Sequence, residues 1–146
     1  MPVTLTSSAF GDGDLMPQRF TCDGENLPPP LTWSAGPDGT RSFALTMEDL
    51  DARAGTFMHW VLYDIPSHAT QWPGSWSGKT MLNGFGRSGY GGPCPPSGDG
   101  PHRYAFRVYA VSVRHLAITG DPIAALRSAL ATHTIASGQL VGRYER

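Results

Sequence analysis

Two histidines and two aspartates are the residues of this chain whose chemistry combines most readily. His59 and His102 lie in separate apolar runs, and Asp49 and Asp51 follow a third run. A protonated imidazole donates from both ring nitrogens, and a nearby carboxylate raises its pKa and fixes its tautomer. Together they would form a small cationic donor site for a phosphate or carboxylate group. The carboxylates could also accept from an ammonium, so a zwitterion such as phosphoethanolamine would suit the site.

A loop rich in glycine and proline precedes His102. It runs from Tyr90 to Gly98 and contains three prolines, which fix φ and lack a backbone donor, so it is neither regular helix nor central strand. Gly91, Gly92 and Gly98 can take a positive φ at little steric cost. We expect a stiff loop whose N–H groups add further donors to the site.

Each of these residues, taken alone, also has a structural interpretation. His59 is expected to point inward, which favours a core histidine bonded to a backbone carbonyl. His102 has the same alternative as a buried structural imidazole. Asp49 and Asp51 could be turn residues that bond local backbone. Glu48 would add a third carboxylate on the opposite, solvent-facing side.

The strand that begins near His102 separates two kinds of side chain. His102 and Tyr104 share one face, and Phe106 continues that face inward. Arg103 and Arg107 point the other way, which favours a solvated face for both arginines.

Apolar and β-branched runs predict the strands that position these residues, at 42–48, 56–65, 103–113 and, more briefly, 138–144. The second run is apolar on both alternating faces, which is typical of a strand buried between layers. One predicted face carries Phe57, His59, Val61 and Tyr63, and the other carries Met58, Trp60 and Leu62.

A helix is predicted late in the chain. Asp121 is a suitable N-cap, and Pro122 suits the first helical position, where its missing N–H does no harm. The helix is expected to fray near His133, and its apolar face carries Ile123, Leu126 and Leu130. The whole pattern predicts a single domain over 1–146, a mainly β, two-sheet antiparallel sandwich with one C-terminal helix and long structured loops.

Charge and cysteine content limit the classes of function. The chain of 146 residues has 11 basic and 12 acidic side chains, which argues against nucleic acid as a partner. It has no apolar run long enough for a membrane span, and its start lacks signal-peptide features, so a cytoplasmic protein is expected. In a reducing cytosol Cys22 and Cys94 would be free thiols by default, and a disulfide requires Cα atoms within about 7 Å. Two cysteines alone make a poor zinc site.

Several motifs in order resemble the phosphatidylethanolamine-binding protein family, also called Raf kinase inhibitor proteins, and particularly its short bacterial branch. The resemblance covers nearly the whole chain. It is carried by Phe20 to Asn26, Pro29 to Ser34, Asp49 to Ala52, His59 to Pro66, Asn83 to Gly86, Gly89 to Pro96, His102 to Tyr104, Tyr109-Ala110 and Leu140 to Tyr144.

The resemblance implies two antiparallel sheets with a small anion pocket at one edge. By the same resemblance, the pocket is lined by Asp49, Asp51, His59, Gly92, Pro93 and His102, with Tyr104 beside it. Two positions depart from the family pattern, where Leu50 and Arg53 stand in place of prolines. The Asp49–Leu50 bond is therefore expected to be trans, which would re-aim the aspartates, and Arg53 could pair with Asp51 or attract anions.

Three functions fit these residues. The first is a non-enzymatic module that binds a small anion (phosphate, phosphoethanolamine or a carboxylate), without a cofactor or metal. The second is a hydrolytic or metal enzyme, since two histidines and a carboxylate could form a facial metal site, although neither HExxH nor GxSxG occurs. The third is a regulator that binds a protein such as a kinase and has a vestigial pocket.

A homodimer is also considered. Trp72, Trp76 and Met81 lie in a segment rich in Gly, Pro and Ser. Exposed aromatic side chains there would suit an interface. The alternative is that these side chains roof the sandwich.

Overall fold

Two antiparallel sheets and one helix make up the computed structural model, which describes residues 2–53 and 55–146. The elements in chain order are β1 (Leu5–Thr6), a 3-10 helix (Gln18–Phe20), β2 (Leu31–Trp33), β3 (Ser42–Asp49), β4 (Phe57–Pro66), β5 (Gln71–Trp72), β6 (Lys79–Thr80), β7 (His102–Val111), α1 (Pro122–His133) and β8 (Thr134–Tyr144). The larger sheet has the order β6-β4-β3-β7-β8 and the smaller has the order β1-β2-β5. This confirms the predicted fold class.

The central strand β3 is buried along its whole length, because it lies between β4 and β7 and is covered on both faces. Phe43 and Leu45 face a core shared with the smaller sheet, which includes Trp33. Ala44 faces a second core beneath α1, which includes Leu126. The predicted strand positions are confirmed within a few residues, except that β8 begins at Thr134, directly after the helix.

A β-bulge at His59 overturns part of the predicted face pattern. Met47 pairs with Trp60 and Glu48 pairs with Met58, so His59 is left without a partner in this register. An extra residue in one strand shifts the alternation of its side chains by one. Met58 therefore joins Val61 in the core beneath α1, and its predicted place beside Trp60 and Leu62 is wrong.

The helix forms as its capping residues predict. Asp121 accepts a hydrogen bond from the backbone N–H of Ala124 at 3.0 Å, and Pro122 occupies the first turn. Leu126 and Leu130 are buried against the sheet, and the helix ends at His133. Its apolar face therefore closes the second core.

The position of α1 explains why the predicted solvent exposure of Glu48 is wrong. This residue was expected to face solvent, but only 2% of it is exposed, because the helix covers that face of the sheet. Its carboxylate accepts from Arg127 at 3.1 Å, and Arg107 lies 3.7 Å away. Arg107 is thus partly covered and pairs with buried groups, whereas Arg103 remains on the solvated side.

Trp72, Trp76 and Met81 pack against the two cores. The ring of Trp72, which lies in β5, stands edge-on to that of Trp60 at 5.2 Å, and Trp76 stands edge-on to Trp33 at 6.4 Å. Met81 is buried in the core beneath α1. These contacts favour the roofing interpretation, and the homodimer stays a prediction.

Cys22 and Cys94 form a disulfide with a Cα–Cα distance of 5.4 Å. The sequence left this pairing open, and the fold brings residues 72 positions apart to within bridging distance. The backbone N–H of Cys22 also donates to the Pro93 carbonyl at 3.1 Å. The bond thus joins the segment after the 3-10 helix to the Gly/Pro loop.

In the part of the chain that the structure describes, no helix is long and apolar enough to cross a membrane.

Replacing both cysteines by serine should lower the free energy of unfolding by about 2–5 kcal/mol, because the disulfide restricts the unfolded chain. Denaturant unfolding with and without reductant measures this. Reductant should shift the midpoint of the parent chain and leave that of Cys22→Ser/Cys94→Ser unchanged. Equal midpoints for the oxidised parent and the double variant would contradict the expectation.

Candidate functional site

The site is a cavity of about 200 Å³ where β3, β4 and β7 reach the same edge of the larger sheet. Asp49, the last residue of β3, is paired in register with Phe57 on one side and Tyr104 on the other. The bulge aims His59 into the same space, and His102 begins β7. The antiparallel register, together with the bulge, therefore assembles these side chains from distant parts of the sequence.

His102 lies between two carboxylates. Its Nδ1 is 2.7 Å from Oδ2 of Asp49, and its Nε2 is 2.6 Å from Oδ2 of Asp99. Burial by itself would lower the pKa of His102, but the hydrogen bonds to Asp49 and Asp99 outweigh it and hold that pKa above its ordinary value. Because a carboxylate oxygen, which accepts, faces each ring nitrogen, both nitrogens donate and the ring is an imidazolium.

Asp99 was not among the predicted site residues. It stands between Gly98 and Gly100, three residues before His102, so its proximity to a candidate histidine was the available signal. Its Oδ1 accepts from Nη2 and Nε of Arg53 at 2.5 and 3.2 Å. The hydrogen bonds from Arg53 and His102 hold the pKa of Asp99 below its usual value.

His59 has the opposite character to His102. Its Nδ1 lies 2.6 Å from the Gly91 carbonyl, which can only accept, so Nδ1 carries the proton. Burial lowers the pKa of His59, and the hydrogen bond to Gly91 offsets this only in part. The neutral ring therefore keeps Nε2 as an acceptor. The predicted bond to a backbone carbonyl is confirmed, and it coexists with a place in the cavity wall.

The hydroxyl of Tyr104 is buried without a hydrogen-bond partner among the described residues. Tyr104 is fully buried and lines the cavity, and its ring stands edge-on to that of His59 at 5.3 Å. Burial raises the pKa of the phenol, so it stays protonated and can donate. A buried polar group normally finds a partner, and the carboxylate of Asp49, which also raises the pKa of this phenol, is the acceptor group near it.

The remaining wall is largely apolar. Phe57 and Phe85 stand edge-on to each other at 4.9 Å, and Cys94, Pro95 and Pro96 continue the wall. Phe85 is 46% exposed and forms part of the rim. Such a wall limits water around the polar groups and so strengthens their hydrogen bonds.

Asp51 lies outside this cavity lining. Its carboxylate accepts from the backbone N–H, Nε and Nη2 of Arg103 at 2.8–3.0 Å, and these bonds lower its pKa. Its own backbone N–H donates to Oδ1 of Asp49 at 2.8 Å, as the turn interpretation predicts. Asp51 thus supports Asp49 from behind.

Gly92 and Pro93 lie outside this cavity lining, and Gly92 instead lines a neighbouring cavity with Asn26 and Cys94. The N–H of Gly92 donates to Asn26 at 2.9 Å and that of Gly91 to the His59 carbonyl at 3.0 Å, so the expected free loop donors are occupied. Neither glycine has a positive φ. A Cβ on Gly91 would strike the Phe85 ring, and one on Gly92 would strike Asn26, so close approach is the reason for both glycines. Of the three glycines considered, Gly98 alone has a positive φ, of 82°.

The two departures from the family pattern have different outcomes. The Asp49–Leu50 bond is trans, as expected, and the N–H of Leu50 donates to the Arg103 carbonyl at 2.9 Å. Arg53 pairs with Asp99, and the suggested pairing with Asp51 is wrong because Arg103 holds that carboxylate. Among the described residues, no group of three or more His, Cys, Asp or Glu side chains is placed to hold a metal ion.

Comparisons with known proteins agree over the whole chain. A family model described as phosphatidylethanolamine-binding protein matches residues 6–145. The "UPF0098 protein" of Aquifex aeolicus is 42% identical, over 96% of this chain and 86% of that one. The Mycobacterium tuberculosis protein named "Putative lipoprotein LppC" is 40% identical, over 99% of this chain and 73% of that one.

Two solved structures share the fold. Escherichia coli YbcL, described as a new member of the mammalian PEBP family, matches with a TM-score of 0.91 at 31% identity, covering 100% of this chain and 99% of that one. The PEBP homologue CT736 from Chlamydia trachomatis matches with a TM-score of 0.89 at 34% identity, covering 99% and 98%.

The two cavity histidines should titrate on opposite sides of the ordinary histidine pKa of about 6.5. His102 should lose its proton above that value, because Asp49 and Asp99 hold it, and His59 should gain one only below it, because the ring is buried. A pH series of side-chain NMR spectra measures both, with His59→Gln and His102→Gln for assignment. Titration of both rings on the same side of the ordinary histidine pKa would contradict the assignment of a charged His102 and a neutral His59.

The effects of the two histidines on stability have opposite signs. His102 binds its proton more tightly in the folded chain, so its contribution is complete below about pH 6.5 and is lost as the pH rises through its raised pKa. His59 binds its proton more weakly when folded, so it lowers stability as the pH falls from about 6.5 through its lowered pKa. Denaturant midpoints of the two glutamine variants across pH separate these contributions.

Proposed function

Because this chain belongs to the phosphatidylethanolamine-binding protein family, we propose that it is a non-enzymatic module that binds a small oxyanion, such as the phosphate of a phospho-head group or a carboxylate, in the cavity around His102. The observation that carries the proposal is that His102 lines the cavity and its Nε2 donates to a carboxylate oxygen of Asp99 at 2.6 Å. An imidazolium held by Asp49 from the other side is a donor prepared for such an oxygen.

The other polar groups of the cavity complement this donor. The unpartnered hydroxyl of Tyr104 supplies a second donor, and Nε2 of His59 supplies an acceptor. The cavity therefore offers both polarities, which suits a head group that carries an anion and an ammonium. By the same proposal Asp49, Asp51, Gly92 and Pro93 hold these side chains and the wall in place.

The size and chemistry of the site favour binding over catalysis. Charge-assisted hydrogen bonds of about 1.5–3 kcal/mol each, less the cost of association, support an affinity for a free anion between about micromolar and millimolar. The described lining contains no serine, and its cysteine, Cys94, is held in a disulfide and is not a free thiol nucleophile. The alternatives of a regulator that binds a kinase or other protein, and of a homodimer, stay predictions.

The expected cytoplasmic location also stays a prediction. The Cys22–Cys94 disulfide bears against it, because disulfides persist mainly in oxidising compartments. Trapping the thiols of cell-grown protein with an alkylating reagent would report their state.

Inorganic phosphate and O-phosphorylethanolamine should each cause saturable shifts of the His59 and His102 NMR signals, and His102→Gln should abolish them because it removes the charged donor. His68→Gln, a change at an exposed histidine after β4, is the matched control and should bind like the parent chain. Phosphatidylcholine vesicles with and without phosphatidylethanolamine distinguish a lipid source from a free phosphate. The absence of shifts up to tens of millimolar would overturn the proposal.

Replacing Tyr104 by phenylalanine should weaken phosphate binding by about two- to tenfold, the value of one hydrogen bond of about 0.5–1.5 kcal/mol. The free protein should lose little stability, because the hydroxyl makes no close hydrogen bond there and only the carboxylate of Asp49 is near it. Calorimetric titration and thermal unfolding measure the two quantities. A loss of stability without a loss of affinity would show that the hydroxyl serves the fold alone.

A further inference from the structure

Asp99 bridges the two cationic side chains at the mouth of the cavity. One carboxylate oxygen accepts from Nε2 of His102 at 2.6 Å, and the other accepts from Nη2 of Arg53 at 2.5 Å. We infer that Arg53 and His102 form a two-donor oxyanion subsite, and that Asp99 is its internal ligand, which an incoming phosphate or carboxylate replaces. The inference rests on the proposed function and names the residues that set its affinity.

The bridging geometry defines the chemistry of the ligand. The Asp99 carboxylate presents two oxygens of one carbon to two separate cationic donors. Phosphate, sulfate or another carboxylate can likewise offer one oxygen to each donor. Arg53 belongs to the cavity lining, and its side chain is 73% exposed, so it can follow either Asp99 or a bound anion. A guanidinium is well suited to exchange one anionic partner for another, because it has several N–H donors and stays charged at every physiological pH.

The backbone around Asp99 permits the carboxylate to leave. Gly98 and Gly100 have positive φ values of 82° and 84°, and a Cβ on either would meet only open space. The segment is tied by two backbone hydrogen bonds, from Gly98 to Arg146 and from Asp99 to Pro96. Glycines on both sides therefore give the Asp99 side chain a flexible and uncrowded attachment.

Asp49 is attached in the opposite way, which decides which carboxylate is replaced. It lies in β3 and is 5% exposed, and its second oxygen is held by the N–H of Asp51. Asp49 therefore keeps Nδ1 of His102 protonated while Nε2 changes partner. The imidazolium survives the exchange because one carboxylate always faces it.

The internal ligand has a measurable cost for binding. An anion reaches Nε2 of His102 only in the fraction of molecules in which Asp99 has moved away, and the apparent affinity falls by that fraction. With Asp99 in place, the cluster of Asp49, His102, Asp99 and Arg53 contains two negative and two positive groups. Removing the charge of Asp99 both frees the donors and leaves the cluster with a net positive charge.

Asp99→Asn should bind inorganic phosphate about tenfold more tightly than the parent chain, or more, which corresponds to about 1.4 kcal/mol. The control is Asp38→Asn, which removes the same charge from an exposed turn and should bind like the parent chain. Asp99→Gly is the second variant, since it leaves no side chain to compete. The loss of Asp99 removes one of the two carboxylates that raise the pKa of His102. Titrations at several pH values, from about 5 up to the ordinary histidine pKa of about 6.5, are therefore compared at equal protonation of His102, which its NMR signal reports.

Arg53→Gln tests the second donor. In the Asp99→Asn background it should weaken phosphate binding by about threefold to tenfold, as expected for the loss of a charged donor at an accessible site. In the parent background the change should be smaller, because the same substitution also loosens the internal ligand. This difference between backgrounds is a double-mutant cycle in which Arg53 and Asp99 are coupled.

The possible results separate the claim of an anion site from the claim that Asp99 is its internal ligand. Parent-like affinity in both Asp99 variants, with phosphate binding retained, would overturn the internal ligand and leave the anion site intact. Absence of phosphate binding in the parent chain and in both Asp99 variants would overturn the anion site and the internal ligand together. Binding that appears only in the Asp99 variants would support the internal ligand and overturn the proposed anion-binding function of the parent chain.

Discussion

The buried hydrogen bond between Asp49 and His102 is the interaction on which the site depends. Both side chains lie almost wholly out of solvent, where a polar group without a partner is costly, and their contact at 2.7 Å gives each a partner. The antiparallel register of β3 and β7 brings their strand ends together. Because Asp51 braces Asp49 and Asp99 faces the far nitrogen, the imidazolium is held in one orientation with its second donor toward the cavity mouth.

Around this pair, the fold keeps donor and acceptor groups apart. The bulge in β4 turns His59 into the cavity as a neutral ring, whose proton is committed to the Gly91 carbonyl. Tyr104, between the two histidines, contributes a hydroxyl that the free protein leaves unpartnered. Burial lowers the pKa of both imidazoles, and the net shifts differ in direction because carboxylates hydrogen-bond only to His102.

The far wall depends on covalent and steric constraints more than on strand pairing. The Cys22–Cys94 disulfide ties the Gly/Pro loop to the segment after the 3-10 helix. Gly91 and Gly92 let the loop pass within contact distance of Phe85 and Asn26. A rigid wall of this kind leaves the Gly98–Gly100 segment as the adaptable side of the cavity, and that is the side on which Arg53 and Asp99 meet.

Local chemistry in the sequence was enough to predict the strands, the capped helix and the meeting of Asp49, His59 and His102, since alternation, capping and motif order are readable along the chain. The bulge at His59, the burial of Glu48, the disulfide and the part played by Asp99 were decided only by the tertiary structure. Each depends on what a second, distant segment brings: the register of β3, the cover of α1, the approach of Cys94 to Cys22, and the guanidinium of Arg53. Such partners are fixed by packing in three dimensions and leave no periodic signal in the amino-acid sequence.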